Sequence, residues 1–389
     1  MALTGARSVL STILRYDSKV TSYKIALLRA INDLVLGYPD ALRGRQSIAV
    51  PLRILASYWV AYYWPFVDAA APIFQGPRAQ RNGRLTNDIS FRPALATLLQ
   101  TWMSIIGSTR PADGFFLINE LRLARSRNAY PPQLLQAYST ALSAIVDALQ
   151  QPIRYAGPKG EQWTVFARPT PYRAADGSIA LPSTRAGELC LVLSADLWMT
   201  FRDMSLWVEA LCIHEWCLFT ERVDQGTGGT VSRGMVYQLL TDRPDNRRPL
   251  TWERNRVDLL LLEGRSFTCP WTGAVIRQGQ PYDLDHVVPV SLYPINELWN
   301  LVPAEPHFNQ HNKRDRLPSL ERLTRAQPHL AHTYTEYASS PDLAQALTAD
   351  VQTRFATIET GEHDFPEAAA SAVTHYVDQL ATLRNLVRF

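Results

Sequence analysis

The chain is predicted to be α+β, with a largely α-helical N-terminal region, a small strand–strand–helix unit and a helical C-terminal tail. Three observations predict this. Apolar residues recur at helical spacing through most of the first 150 residues and again after Pro318. Short apolar runs, Gln162-Trp163-Thr164-Val165-Phe166-Ala167 and Leu189-Cys190-Leu191-Val192-Leu193, interrupt that pattern and read as strands around a turn-rich stretch. Late in the chain, two short apolar runs closed by prolines lead into a helix, the strand–strand–helix order.

In chain order, Asp17-Ser18 can cap a helix running through Lys24, Leu27, Leu28, Ile31 and Leu34. Helical patterns follow at about 48–64, 92–107, 114–127 and 131–151. Residues 55–74 are the most membrane-like, but Ser57, Pro65, Asp68 and Pro72 interrupt them, so 54–64 is read as a buried aromatic helix and no span is expected. Its Trp59, Tyr62, Tyr63 and Trp64 are of a type that stacks on bases, yet in an apolar helix such residues are core. A helix at about 206–223 precedes Asp224-Gln225-Gly226-Thr227-Gly228-Gly229-Thr230, the best linker in the chain. That linker lacks the lysine-serine or lysine-threonine ending of a phosphate loop. His214-Glu215 has Leu218 where a zinc-protease helix needs its second histidine, so His214 is read as packing or a local hydrogen bond. Further helices are expected at about 319–326, 341–358 and 366–387. The division expected is an α-rich recognition or regulatory region at 1–230, a middle domain at 231–320 and a helical extension at 321–389.

With 389 residues, 46% hydrophobic and 19% charged, the chain has the composition of an ordinary folded protein of two or three domains. A net charge of +3 is too small to argue nucleic-acid binding by itself. Lysine occurs only at Lys19, Lys24, Lys159 and Lys313, so nearly all positive charge is arginine, which grips phosphate bidentately. Arg243, Arg247, Arg248, Arg254 and Arg256 cluster ahead of residue 269, and with Arg314 and Arg316 they are suited to tracking a duplex backbone. Asp242, Asp245, Glu253 and Asp258 among them offer salt bridges instead. Cys190, Cys212, Cys217 and Cys269 are irregularly spaced and give no disulfide framework, and the N-terminus has no secretory h-region, so a cytoplasmic location is expected.

Chemistry shows through in one segment. Tyr282-Asp283-Leu284-Asp285-His286-Val287-Val288-Pro289 is followed by Trp299-Asn300-Leu301-Val302-Pro303 and then by Phe308-Asn309-Gln310-His311-Asn312-Lys313. Asp285 and His286 are neighbours at the end of an apolar strand, so only a bend, which Pro289 favours, brings both to one site. Asn300 precedes a second short strand. Asn309 and Lys313 stand four apart on the helix that follows and share a face, whereas His311 points elsewhere. Carboxylate and amide oxygens suit Mg²⁺ or Mn²⁺, and a neutral histidine beside the ion can deprotonate an attacking water.

These residues resemble the HNH endonucleases, whose nuclease domain has the ββα-metal fold, over residues 269–318. The resemblance implies a metal-dependent DNA endonuclease or nickase that leaves 5′-phosphate and 3′-hydroxyl ends. Carried over by position, Asp285 binds metal, His286 is the general base, Asn300 holds the loop, Asn309 is the second metal ligand and Lys313 lies near phosphate. His311 is the alternative second ligand. Arg314, Arg316, Arg247 and Arg248 complete the expected nucleic-acid-binding set, with double-stranded DNA as partner. Many members carry two Cys-x-x-Cys pairs, but Cys269-Pro270-Trp271-Thr272 keeps one cysteine, so no structural zinc is expected. The combination resembles bacterial restriction and anti-phage effectors, which implies other defence-system proteins as partners. The other readings are a non-catalytic nucleic-acid or protein-binding module on a degenerate HNH fold, and an RNA nuclease.

Overall fold

Helix α2 sets the character of the first part of the molecule: thirteen of its fifteen residues are buried, including Arg29 and Asn32. A helix covered on all sides is a core element. The structure is a computed structural model, and it describes residues 5–42, 44–76, 80–81, 84–85, 88–157, 161–225, 231–242, 250–292, 296–355, 358 and 364–389. The chain divides into two compact units, Met1–Arg243 and Pro244–Phe389.

The first unit runs α1 (Ala6–Ser11), α2 (Tyr23–Gly37), β1 (Ile48–Pro51), α3 (Leu52–Tyr63), β2 (Gln80–Arg81), β3 (Arg84–Leu85), α4 (Arg92–Ile106), α5 (Asp113–Arg122), α6 (Ala124–Arg127), α7 (Pro132–Arg154), β4 (Thr170–Pro171), β5 (Ile179–Ala180), β6 (Leu189–Leu193), α8 (Ala195–Asp203), α9 (Ser205–Gln225) and α10 (Arg233–Thr241). Strands β4, β6, β1 and β5 pair in that order, β1 with β5 in parallel and the other pairs antiparallel. Helix ends follow local chemistry. Pro93 lies in the first turn of α4, Gly107 closes it at φ 74°, and the hydroxyls of Ser194 and Ser232 cap α8 and α10. Gly114 lets α5 meet α3, because a Cβ there would stand 2.7 Å from the Trp64 Cβ.

The expected aromatic helix is α3 together with the turn Trp64–Phe66, and Trp59, Tyr62, Tyr63 and Trp64 are at most 2% exposed, so they are core. Among the described residues no helix is long and apolar enough to cross a membrane. Three expectations are corrected. The helix expected from 48 begins at Leu52, because Ile48 to Pro51 pair with β6 and Pro51, at φ −58° and ψ 128°, is its N-cap. Residues 162–167 form turns, not a strand, with Trp163 at φ 59°. The helix expected over 114–127 breaks at Leu123, whose backbone is extended. Most of the expected glycine-rich linker, 226–230, lies outside the described residues. His214 is exposed on α9, so it does not pack.

The second unit runs α11 (Thr251–Leu262), β7 (Phe267–Thr268), β8 (Val275–Ile276), β9 (Asp283–His286), β10 (Leu301–Ala304), a π-helical turn (Phe308–Lys313), α12 (Leu320–Ala338), α13 (Pro341–Arg354) and α14 (Phe365–Leu383). Two antiparallel ribbons, β7–β8 and β9–β10, are joined to α11, α12, α13 and α14 by one core. Leu323, Leu330, Tyr334 and Tyr337 form the buried stripe of α12, packed with Val287, Val288, Leu301 and Val302. Each fully buried aliphatic side chain there contributes roughly 1.5–3 kcal/mol. Tyr334 donates to the Trp299 carbonyl at 2.6 Å and Tyr337 to that of Leu301 at 2.9 Å. Burial pushes both hydroxyls well above the usual tyrosine range, so they stay protonated donors. Residues 317–319 pair with 387–389 through three backbone hydrogen bonds. Residues 321–389, the expected helical extension, share a core with the ribbons.

Candidate active site

Strand β9 places Asp283 and Asp285 on one face by alternation, with Leu284 and His286 on the other. The chain turns directly after His286. The buried Asn300 side chain makes that turn: its Oδ1 accepts from the Val288 N–H at 2.7 Å and its Nδ2 donates to the Val288 carbonyl at 3.1 Å. Asn300 is itself fixed, because the Asp350 carboxylate accepts from the Leu298 N–H at 2.8 Å and so caps the short 3-10 turn Leu298–Asn300. Asp285 and His286 consequently both line one cleft of ≈ 520 Å³, together with Asp283, Asn309, Gln310, Lys313 and Arg314. Thr251, Arg254 and Asn255 of α11 form another wall.

The helix after β10 is a π turn, in which the Arg314 N–H reaches the Asn309 carbonyl five residues back. It aims Asn309 and Lys313 at β9. Lys313 is 1% exposed, and its ammonium donates to Asp285 Oδ1 at 3.0 Å and to the His286 carbonyl at 2.8 Å. Asp285 Oδ2 accepts from the Trp271 indole at 2.8 Å. Asp283 differs: its Oδ2 accepts from the Asn309 and Gln310 amides at 3.1 and 3.0 Å, and among the described residues no cation lies within 4 Å of it. His286 Nε2 lies 2.8 Å from Asn296 Oδ1, a hydrogen bond that holds the ring in place at the cleft. Cys269 is buried, its turn closed by Gly273 N–H to the Cys269 carbonyl and Cys269 N–H to the Ala274 carbonyl.

Of the residues expected at the site, Asp285, His286, Asn309, Lys313 and Arg314 line this cleft, and Asn300 lies behind it. Lys313 lines the cleft with its ammonium turned inward against Asp285. His311 is exposed and stacks on His307, ring centroids 4.7 Å apart, and it does not line the cleft. Arg316 also lies off the cleft lining and donates to the Asn312 carbonyl. Arg247 and Arg248 fall outside the described residues. Asp283, Trp271, Asn296 and Gln310 were given no role by the sequence. Strand alternation alone, two positions before Asp285, is a signal that finds Asp283.

Residues 3–240 match the family model of a domain of unknown function, DUF8808, over more than half of the chain. The chain belongs to the DUF8808 family. In this DUF8808 protein, residues 269–319 also match an HNH endonuclease model, a span that contains Asp283, Asp285, His286, Asn300 and Asn309. The HNH match points to a nuclease and hence to nucleic-acid binding. No curated protein and no solved structure matches the chain.

HNH nucleases generally use a divalent metal. Among the described residues no group of three or more His, Cys, Asp or Glu side chains is assembled to hold an ion. The cleft instead offers carboxylate and amide oxygens, among them Asp283 and Asp285 of β9 and Asn309 and Gln310 of the π turn, the sparse oxygen set that suits Mg²⁺ or Mn²⁺ completed by water and phosphate. The donor set therefore fits such an ion. Three carboxylates (Asp283, Asp285, Asp315) face three cations (Arg254, Lys313, Arg314) around the cleft, so one divalent ion would turn it attractive to a phosphodiester.

Proposed function

We propose that the chain is a metal-dependent endonuclease that hydrolyses phosphodiester bonds of double-stranded DNA in the cleft formed by β9, the π turn and α11. The observation that carries this reading is the convergence, inside the HNH match, of His286 held by Asn296, the carboxylates of one strand face and the Asn309 amide. His286 acts as general base: its imidazole takes a proton from the water whose oxygen bonds to phosphorus while the P–O3′ bond breaks. Asn300 acts through the turn it holds, keeping His286 aimed. Asp285, or Asp283 beside it, and Asn309 would hold Mg²⁺ or Mn²⁺, which when bound supplies charge stabilisation at the phosphate. Arg254 and Arg314 flank the cleft and grip neighbouring phosphates.

Supercoiled plasmid incubated with Mg²⁺ or Mn²⁺ tests this. Cleavage is expected to stop in EDTA and to fall roughly 10²–10⁴-fold in His286→Ala. Plasmid left intact by the unaltered protein, with matched RNA cut instead, would move the substrate to RNA; no cleavage of either sinks the proposal. The setting proposed is restriction or anti-phage defence, with the DUF8808 region restraining or directing cleavage. Equal phage plating on cells with and without the protein would remove that setting.

A further inference from the structure

Two aspartates of β9 line the cleft, and their surroundings assign them different work. Asp285 has both carboxylate oxygens engaged, Oδ1 by the Lys313 ammonium and Oδ2 by the Trp271 indole, and it is 6% exposed. Lys313 is itself held a second time, by the His286 carbonyl. A divalent cation at Asp285 would sit beside a fixed, buried ammonium, where like charges repel with little solvent screening. Moving Lys313 away would strand a charge that the fold has sealed from water.

Asp283 is half-buried, opens onto the same cleft and, among the described residues, meets only neutral amides, both on Oδ2. Those amides belong to Asn309 and Gln310 of the π turn. Turning an amide over exchanges its N–H for its oxygen in nearly the same space. A cation on Asp283 therefore finds an amide oxygen already adjacent, with no ion pair to break.

Resting on the metal-dependent reading above, we infer that the carboxylate that binds the divalent cation is Asp283, with the Asn309 amide oxygen as its neighbour, while Asp285 stays paired with Lys313. The cleft thus keeps two separate charge pairs: an internal one that ties the π turn to β9 at His286, and an exchangeable one at Asp283.

Mn²⁺ binding to the full chain, read from the electron paramagnetic resonance signal of free Mn²⁺, tests this without relying on cleavage. Asp283→Asn is expected to weaken affinity at least about tenfold. The charge-neutral replacement Asp285→Asn with Lys313→Met is expected to hold it within about threefold. Melting followed by circular dichroism shows that each variant is folded, and Asp283→Glu, which restores the charge, recovers binding. Loss of Mn²⁺ in the Asp285/Lys313 replacement with retention in Asp283→Asn overturns this inference and leaves the metal-dependent nuclease standing. No Mn²⁺ binding by the unaltered protein overturns both.

Discussion

Each unit buries an aspartate against a cation, and the two pairs differ in everything but charge. In the first unit, Arg92 donates to Asp88 through Nε at 2.6 Å and Nη2 at 2.7 Å, and its remaining N–H groups reach the Phe66 and Ile73 carbonyls. The Gln75 N–H also points at Asp88. Arginine's planar fork satisfies all of this at once and ties two loops to the start of α4. In the second unit the cation is a lysine, a point charge, and its aspartate lines a cleft with an imidazole, a second carboxylate and an amide. A buried ion pair is thus no mark of chemistry. The groups with which it shares an opening decide its use.

The largest effect expected from breaking this comparison is on stability. Asp88→Ala leaves Arg92 unpaired in a closed site and should cost about 3–5 kcal/mol, seen by scanning calorimetry, with Mn²⁺ affinity at the cleft unchanged. A variant with unaltered melting but impaired cation binding would show that the first pair is not simply structural. Asn300→Ala comes next. It strips both backbone groups of Val288 of their partners at a buried turn, for about 2–3 kcal/mol in urea denaturation, and cleavage should fall further than stability explains. Unchanged cleavage would detach Asn300 from the site. Arg254→Ala is the mildest: losing the guanidinium's hydrogen bond to the Tyr282 carbonyl at 2.8 Å should cost about 1 kcal/mol in melting, while the slope of log binding constant against log salt for duplex DNA should drop by about 1. An unaltered slope would take α11 out of the substrate path.

The strand ending at His286 is legible because its signals are local, alternation and a proline stop, whereas the turn held by Asn300 is expected only through the HNH resemblance. The Asp285 pairing is not legible, because it needs Lys313 and Trp271, which lie 28 and 14 residues away in sequence. The π turn adds a further obstacle. Helical spacing does put Asn309 and Lys313 on one face, but it gives no hint that the wider turn drives Lys313 inward. In the first unit, 48–51 reads as the start of a helix because its apolar spacing is continuous with α3, and only pairing with β6, far along the chain, makes it a strand. Trp163 defeats the pattern at 162–167 by taking a left-handed backbone that no apolar run announces.

Phe389 bears on both halves of the cleft. Its ring lies 5.7 Å from that of Trp271, the indole on Asp285, and 5.8 Å from that of Phe308, where the π turn begins. Its backbone pairs with residues 317 and 319. On the ribosome these braces emerge some 70 residues after the HNH segment, roughly 4–14 s later at usual elongation rates. For that interval the nascent chain displays the nuclease sequence without the finished cleft, so cutting competence waits until residues 387–389 have been made and have paired with 317–319.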